Sequence, residues 1–508
     1  RFLEGTFPRD ILSQFQNMLE YFGQAPIIVR SSSMLEDSFG NAFAGKYRSE
    51  FCCNQGSPEQ RLQAFLKAVK LVYASALNLD ALSYRRKRGL SDRDEQMALL
   101  VQRVSGMQYR HYFFPSLAGV AFSHNLYAWT NRIDPKKGMI RLVFGLGTRA
   151  VDRTGGDYPR LIAISHPELR PETGAKVVKY SQREIDLLDL DRNELLSLNV
   201  EDILAGRDYP NQHLYVSQMK DGCLIDPSSP FLEAEAEDYV LTFNNLIRQT
   251  DLVKIIGRMV EILERAYGRP IDTEFTAFVH STGRASINLL QCRPMALPGM
   301  QGLQVVLPPD IPRERVLFRS GRIVNGGVVS GIRYVIYIDP RRYHGAPMTV
   351  KKSLGRIVGS INAHPRVRSG KVLMMGPGRW GSSNIDLGVN VTYSDINHTT
   401  VLVEMAREEA GQVPEVSYGT HFFLDLVEAR IIYLPVYPND PEAEFNRHAF
   451  EGLPNVLTEL LPDAERFRGI IQVFDLPVAT GGLYAHVVAD PQSRKAVCYL
   501  AASATTDQ

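Results

Sequence analysis

Glu274 and Gln291 are the residues whose types and spacing best suit the binding of a metal ion. They lie in two runs of alternating apolar and polar residues, 272–279 and 287–293, joined by a turn that contains Gly283. Alternation about such a turn predicts a β-hairpin. If the turn centres immediately before Gly283, Glu274 faces Gln291 across the strands. A carboxylate oxygen beside an amide oxygen then suits Mg²⁺, which usually also binds phosphate oxygens.

The same register places an arginine next to this pair. Asp272 faces Arg293, and the period of two puts both residues on the face that carries Glu274 and Gln291. Arg293 could hold a phosphate through a bidentate contact. The alternative is a solvated face with a cross-strand Asp272–Arg293 pair, and the spacing alone leaves both interpretations open.

A second group of polar residues follows the short apolar strand 26–29. Arg30 ends this strand, and the three hydroxyl residues Ser31–Ser33 come directly after it. An arginine, hydroxyls and backbone amides at a strand end suit a polyphosphate, although serine runs also mark ordinary turns. The sequence Gly145-Leu146-Gly147 follows another strand, where a tight turn is the simpler interpretation.

Taken in order, these segments resemble the nucleotide-binding domain of pyruvate phosphate dikinase and phosphoenolpyruvate synthase. Residues 29–47, VRSSSMLEDSFGNAFAGKY, are similar to the signature of that domain. The other similar segments, in chain order, are Ser83-Tyr84-Arg85, 100–104 (LVQRV), 118–123 (AGVAFS), 145–147 (GLG), 272–275 (DTEF) and 290–294 (LQCRP).

The resemblance implies an ATP-grasp fold that uses ATP and Mg²⁺. It implies that Arg30, Arg85 and Arg293 contact phosphates and that Glu274 and Gln291 hold the metal. The other nucleotide contacts that it implies are at Ser31, Gln102, Val104, Gly145 and Gly147.

The sequence departs from the family pattern at three places, and these departures weaken the resemblance. Thr148 and Arg149 follow the GLG segment where the family has glutamate, and Asp80 stands where the family has arginine. The glycine-rich segment that carries the family's phosphate-binding lysine is not found in this sequence, so either the lysine was truncated away or nucleotide turnover is compromised. Thr148, the absent lysine and the missing phosphoenolpyruvate barrel favour a non-catalytic nucleotide-sensing regulatory module as one alternative to an enzyme.

A proline-rich stretch divides the sequence. We expect an α/β (α+β) protein with an ATP-grasp module over 1–297 and a linker over 298–315. A β-rich module over 316–440 resembles a degenerate swivelling domain in part, and an α/β tail over 441–508 is expected to pack on it. Too few residues follow the linker for the phosphoenolpyruvate barrel of the family.

His421 is the histidine that best fits a phosphoryl acceptor. Gly419 and Thr420 precede it and an apolar run follows, which loosely resembles the phosphohistidine segment of the swivelling domain. A histidine at a helix start could accept a phosphoryl group. The alternative is a buried structural histidine.

The segment Met375–Asn384 combines three glycines with Arg379, Trp380 and two serines. Loops of this composition often bind a ligand, and an oxyanion would suit Arg379 together with unpaired backbone amides. A tight structural turn anchored by Trp380 is the alternative.

The composition limits the class of partner. The chain has 57 basic and 56 acidic residues, a formal net charge of +1, which argues against a nucleic-acid-binding protein. No apolar run approaches 18 residues, so no transmembrane helix is expected. Five cysteines without a CxxC pair predict a reduced, cytoplasmic protein. The sequence leaves open whether the protein forms a homo-oligomer.

These observations predict an ATP-binding phosphotransferase that uses Mg·ATP and an unidentified small-molecule or protein acceptor. The alternatives are the nucleotide-sensing module and an ATP-grasp ligase that activates a carboxylate.

Overall fold

The computed structural model divides into two compact units. The first comprises Arg1–Ala81 and Arg93–Met295, and the second comprises Leu82–Asp92 and Ala296–Gln508. The structure describes residues 2–33, 47–87, 96–125, 130, 132–151, 157–172, 174, 176–229, 238–280, 282–295, 305–321, 323, 326–382, 385–406, 416–417, 422, 426, 429, 431–438, 440–490 and 493–502.

The first unit combines helices with four antiparallel sheets among its described residues. Its strands are β1 (Ile27–Ser33), β2 (Ser49–Cys52), β3 (Met97–Arg103), β4 (Met107–Tyr109), β5 (Tyr112–Phe114), β6 (Leu117–Phe122), β7 (Met139–Val143), β8 (Arg160–Ala163), β9 (Glu184–Asp189), β10 (Glu194–Asn199), β11 (Val216–Lys220), β12 (Cys223–Ile225), β13 (Tyr239–Leu241), β14 (Ile271–Val279) and β15 (Ala285–Pro294). Its α-helices are Arg9–Phe22, Pro58–Ser75, Thr148–Val151, Lys176–Lys179, Val200–Leu204, Gln212–Tyr215, Asn244–Gln249 and Leu252–Tyr267.

A three-stranded sheet in the order β2-β1-β3 carries the first group of polar residues. Ile27 and Val29 of β1 are fully buried in a core that they share with the helices Arg9–Phe22 and Pro58–Ser75. Because side chains alternate along a strand, Arg30 lies on the opposite face of this sheet.

The helix Pro58–Ser75 begins at strong sequence signals. The Ser57 hydroxyl accepts the Gln60 N–H, the Gln60 side chain accepts the Ser57 N–H, and Pro58 occupies the first helical position. This reciprocal cap satisfies backbone donors that a helix start leaves unpaired. It fixes the helix that supports the core face of β1.

The predicted hairpin belongs to a five-stranded antiparallel sheet in the order β15-β14-β6-β7-β8. Phe275 and Leu142 lie on one face, which packs in a large apolar core with the helix Leu252–Tyr267. Alternation places Glu274 on the other face. Each sheet that carries predicted site residues therefore has one face closed by its core.

The second unit is built around one nine-stranded mixed sheet. Its strands are β16 (Val316–Ser320), β17 (Gly327–Ile338), β18 (Lys371–Pro377), β19 (Thr399–Met405), β20 (Ile432–Val436), β21 (Glu444–Phe445), β22 (Ile471–Asp475), β23 (Leu483–Asp490) and β24 (Lys495–Ala502). The α-helices of this unit are Leu79–Lys87 in part, Pro340–His344, Met348–Ala363, Pro365–Arg368, Tyr393–Ile396, Leu457–Leu460 and Leu476–Ala479.

Strands β17, β18, β19 and β20 pair with one another in parallel, in that order. On the other side of β17, strands β22, β23, β24 and β16 form antiparallel pairs. The mixed helix and strand content confirms the predicted α+β class. The two units divide after Met295, next to the predicted linker. Strands from 441–508 lie in the same sheet as strands from 316–440.

Within the part of the chain that the structure describes, no helix is both long enough and apolar enough to cross a membrane.

Candidate functional site

The hairpin has the predicted pairs. Asp272 lies opposite Arg293, and Glu274 lies opposite Gln291, in the antiparallel register of β14 and β15. All four residues share one face of the five-stranded sheet, so the expected juxtaposition of a carboxylate and an amide is present.

The register arises differently from the prediction. Val279 pairs with Ala285, so the turn centres on Thr282 rather than between Thr282 and Gly283. The pairs nearest the turn are therefore one residue away from the predicted register. A β-bulge that leaves Leu290 without an opposite residue restores it before Glu274 is reached.

Arg30 meets the hairpin at this pair. Its Nη2 atom donates to Glu274 Oε2 at 2.9 Å and to Gln291 Oε1 at 2.6 Å. The Arg30 and Glu274 side chains are 18% and 20% exposed. One guanidinium nitrogen thus contacts both oxygens that the sequence assigns to a metal, and we call Arg30, Glu274 and Gln291 the hairpin cluster.

A hydroxyl group next to β3 joins the two sheets beside the hairpin cluster. Ser105 Oγ lies 2.7 Å from Thr276 Oγ1 and accepts a hydrogen bond from Asn288 Nδ2 at 2.9 Å. Sequence reasoning missed these residues. Alternation along the strand from Glu274 places Thr276 on the same face. The unpredicted bulge changes which residue lies opposite Thr276, and that residue is Asn288.

Arg293 is occupied by its cross-strand neighbour. Its Nε atom donates to Asp272 Oδ1 at 2.9 Å, and both side chains are largely buried. The pair that the alternative interpretation predicted is therefore formed. Its position next to Glu274 and Gln291 keeps Arg293 on the face of the hairpin cluster.

The predicted nucleotide contacts on β1 and β3 lie in three different settings. Gln102 pairs with Ile28, so it shares the open face with Arg30. Ser31 lies on the opposite face from Arg30, and the structure does not bring their side chains together. The Val104 N–H donates to Pro26 O at 2.9 Å and is not available to a nucleotide in this conformation.

The GLG segment packs tightly against β9. Gly145 has a φ of +93°, and a Cβ atom there would lie 2.3 Å from Ile185, so only glycine fits. A Cβ at Gly147 would lie 3.5 Å from that of Ala118, which faces Thr276 in the sheet. Gly147 thus approaches the face of the hairpin cluster. At position 145, by contrast, the close packing against Ile185 is the reason that the residue is glycine.

Two predicted residues are not placed with this cluster. Arg85 lies in a segment that belongs to the second unit. His421 lies outside the residues that the structure describes, and its role as a phosphoryl acceptor stays a prediction.

Arg149, which follows the departure from the family pattern at Thr148, is the centre of a buried ion-pair network. Its Nε, Nη1 and Nη2 atoms contact Asp186, Asp157 and Glu184 at 2.8, 2.7 and 2.8 Å. The neighbouring Thr148 hydroxyl also donates to Asp186, at 2.6 Å. Burial acts to lower the pKa of Arg149, but the Asp186 and Asp157 carboxylates raise it above its usual value. We call Arg149 and its three carboxylates the Arg149 network.

Backbone amides of the glycine-rich loop in the second unit are paired with backbone carbonyls of neighbouring segments. The N–H groups of Gly378, Arg379 and Gly381 donate to Met405 O, Leu387 O and Val389 O. These amides are therefore not available to an oxyanion. A Cβ at Gly381, which has a φ of +72°, would lie 2.5 Å from the Phe422 ring. The structure favours the tight turn anchored by Trp380 over the oxyanion site.

The Glu404 carboxylate anchors this loop through hydrogen bonds. Its Oε1 accepts the Trp380 N–H at 2.7 Å, and its Oε2 accepts the Ser417 N–H and the Tyr433 hydroxyl. The carboxyl is fully buried, and burial raises its pKa to about 7 in spite of these hydrogen bonds. Sequence reasoning did not single out Glu404, since it lies within an otherwise apolar strand.

Comparison with known proteins places the residues of the first unit within one family. Residues 1–302, more than half of the chain, match the family described as pyruvate phosphate dikinase, AMP/ATP-binding domain. The chain belongs to this family.

Two curated relatives in the dikinase and synthase group are similar to parts of the chain. A phosphoenolpyruvate synthase of Aeropyrum pernix is 26% identical over 313 residues, which is 60% of this chain and 33% of the relative. A rifampicin phosphotransferase of Streptomyces sviceus is 27% identical over 191 residues, which is 36% of this chain and 19% of the relative. The matched part spans a third of the length of the first relative and about a fifth of the second.

Proposed function

We propose that the first unit binds Mg·ATP at the hairpin cluster and that the protein transfers a phosphoryl group from this nucleotide to an acceptor. The observation that carries the proposal is the convergence of Glu274 Oε2 and Gln291 Oε1 on one cationic nitrogen. Membership in a family of AMP/ATP-binding domains supports the nucleotide.

The oxygen atoms of this site fit a magnesium ion. Arg30 Nη2 is a positive group that both oxygens contact, so the pair already stabilises a cation at that point. Mg²⁺ prefers carboxylate and amide oxygens and usually keeps water and phosphate oxygens as its other ligands. No group of three or more His, Cys, Asp and Glu side chains that could hold a metal is found among the described residues, so phosphate and water would complete this coordination.

Arg30 would exchange partners when the nucleotide binds. With Mg²⁺ between Glu274 and Gln291, the Arg30 guanidinium is released from those oxygens and can bind a phosphate through two parallel hydrogen bonds. Arg293, held by Asp272, would add positive charge on the same face. Fixed positive groups at this position stabilise the charge that develops during phosphoryl transfer.

Calorimetry with Mg·ATP tests the binding step. The double variant Glu274→Ala/Gln291→Ala should lose Mg²⁺-dependent affinity, because it removes both oxygens and leaves the rest of the face intact. Glu261→Ala is a matched control, since Glu261 is an exposed carboxylate on a helix of the same unit. Equal Mg²⁺-dependent affinity in the double variant and the control would refute the proposed site.

The acceptor is best sought without assuming either relative's substrate. One relative is named for phosphoenolpyruvate and the other for rifampicin, so similar nucleotide domains serve different acceptors. Incubation with β-labelled and γ-labelled ATP separates the cases. Label on protein or on a small molecule supports a phosphotransferase, and the labelled position shows which phosphate moves.

A nucleotide-sensing module is the second candidate, and the Arg149 network favours it. Thr148 and Arg149 are committed to a structural network at the position where the family has glutamate. If Mg·ATP binds in calorimetry but neither label leaves the nucleotide with a cell extract as acceptor source, sensing replaces transfer as the conclusion.

A further inference from the structure

Arg160 is a buried arginine whose guanidinium has no hydrogen-bond partner. It begins β8, the edge strand of the five-stranded sheet, and is only 4% exposed. Among the described residues, none offers a hydrogen-bond acceptor to its Nε, Nη1 or Nη2 atom. Buried polar groups in folded proteins are nearly always paired, so three unpaired nitrogens on one buried cation call for a physical explanation.

A second arginine lies close enough to repel it. Burial, together with the smaller effect of the Arg170 charge, lowers the pKa of Arg160 to about 9, against an opposing effect of Glu172. Burial also lowers the pKa of Arg170, whose Nη1 atom lacks a partner as well. Four guanidinium nitrogens from these two arginines therefore have no hydrogen-bond partner.

The carboxylates near these arginines pair with other groups and not with Arg160. Glu172 contacts Arg170 Nε at 3.5 Å, a long hydrogen bond. Asp226, whose charge also acts on Arg170, already accepts hydrogen bonds from Ser217, Asn244 and Arg248. The local surplus of positive charge therefore resides at Arg160.

We infer that Arg160 and Arg170 form a second oxyanion site, suited to inorganic phosphate or a phosphomonoester. Two arginines with four unused donors match the several acceptor oxygens of a phosphate group better than the two oxygens of one carboxylate. A bound dianion would offset the surplus charge and pair the orphaned nitrogens.

This Arg160 site is distinct from the hairpin cluster. Arg160 pairs with Leu142, Leu142 pairs with Gly119, and Gly119 pairs with Phe275, so Arg160 lies on the face opposite to Glu274. Strands β8 and β14 are also three strand spacings apart, about 14 Å. A nucleotide bound at the hairpin cluster is therefore on the other side of the sheet.

Glu172 marks the route by which an anion would enter. The Arg160 nitrogens are covered, whereas the Arg170 and Glu172 side chains are 12% and 19% exposed and lie nearer to solvent. An incoming phosphate would displace the weakly held Glu172 carboxylate from Arg170 and then reach Arg160. Glu172 thus competes with the anion for the same arginine.

Inorganic phosphate is the probe, added to the full chain at constant ionic strength adjusted with chloride. Thermal unfolding and calorimetry should show phosphate binding to the wild-type protein, because a ligand of the folded state raises the unfolding temperature. Arg160→Met and Arg170→Met should each lower phosphate affinity at least tenfold. Arg265→Met, at an exposed arginine of the same unit, should leave it unchanged.

Two further readouts distinguish a ligand site from a structural arginine. Without phosphate, Arg160→Met should be at least as stable as the wild type, since methionine replaces an unpaired buried cation. Glu172→Gln should raise phosphate affinity several-fold, because it removes the competing charge. If Arg160→Met does not fold, the Glu172→Gln variant still tests the site.

Three results would overturn the inference. They are a wild-type protein that shows no response to phosphate, an equal response in the wild type and both arginine variants, and a Glu172→Gln variant that binds phosphate no better than the wild type. The Glu274→Ala/Gln291→Ala variant should keep its phosphate response, so failure of the nucleotide site and failure of the Arg160 site are separate outcomes.

Discussion

The hairpin cluster and the Arg149 network both combine an arginine with carboxylates, yet they use the arginine differently. Arg149 is 5% exposed, and each of its three nitrogens contacts a different carboxylate. Arg30 is 18% exposed, and a single nitrogen contacts both Glu274 and Gln291. The first arrangement is saturated, whereas the second leaves the remaining nitrogens of its arginine able to bind a ligand.

We expect this difference to distinguish an arginine that only stabilises the fold from one that is able to bind a ligand, although both have acidic neighbours. A saturated, buried arginine cannot change partners unless it leaves several carboxylates unpaired. A partly exposed arginine that shares one nitrogen between two oxygens can change partners at little cost. The predictions below test this contrast.

The largest effect is expected for Arg149→Met. The substitution leaves the buried Asp157 and Asp186 carboxylates without their cation, which should reduce the free energy of unfolding by about 3–5 kcal/mol. Urea denaturation measures this loss. Arg30→Met is the matched comparison and should reduce it by about 1 kcal/mol or less. Similar losses in the two variants would contradict the distinction.

For nucleotide binding we expect the reverse order, with a larger effect for Arg30→Met than for Arg149→Met. Arg30→Met should weaken Mg·ATP binding by roughly 10- to 100-fold, because a hydrogen bond to a charged group contributes about 1.5–3 kcal/mol. Calorimetry on the folded variant provides the measurement. Arg103→Met, at an exposed position on β3 of the same sheet, serves as the control and should bind like the wild type. If the two variants bind alike, Arg30 does not contact the nucleotide.

Glu404 extends the comparison to a buried carboxylate that neutral donors hold. Its folded-state pKa of about 7 lies above the ordinary value of 4.5, so the folded state binds the proton more tightly than the unfolded state. Stability from this group is complete below pH 4.5 and is lost as the pH rises to 7, by about 1 kcal/mol per pH unit.

Denaturation of the full chain between pH 4.5 and 7 tests this slope. Glu404→Gln should flatten it for the second unit, because the amide does not titrate. Glu465→Gln, at an exposed position in the same unit, should keep it. A slope that is unchanged in Glu404→Gln would show that another group carries the pH dependence.

The smallest effect concerns the hydroxyl pair beside the hairpin cluster. Thr276→Val and Ser105→Ala remove the two sides of one hydrogen bond of 2.7 Å. A double-mutant cycle should give a coupling of about 1 kcal/mol in the free energy of unfolding. Zero coupling would show that this contact does not hold the two sheets together.

The sequence predicted the parts of the site that follow from strand periodicity. The Glu274–Gln291 and Asp272–Arg293 pairs are confirmed, because alternation and a glycine turn constrain a hairpin closely. The turn position was wrong by half a residue, and the bulge at Leu290 compensated for this error. A bulge depends on packing against the neighbouring strand, which a single sequence does not reveal.

Contacts between distant segments were less predictable. Residue types near Arg30 led us to predict a phosphate site, but only the fold shows that Arg30 reaches across to the hairpin, more than 240 residues away. The glycine-rich loop shows the opposite limit. Its composition suggested unpaired amides, but backbone carbonyls of strand β19 and of the segment 387–389 accept the N–H groups of Gly378, Arg379 and Gly381.

The order of strands in the second unit has a consequence for its synthesis. Strand β17 pairs with β22 and β23, and β24 connects β23 to β16, although all three partners come from the last part of this sequence. A ribosome needs on the order of ten seconds to make the residues between Ile338 and Ile471. During that interval the emerging chain displays an apolar strand whose edge on that side has no partner, a surface on which another nascent chain could pair.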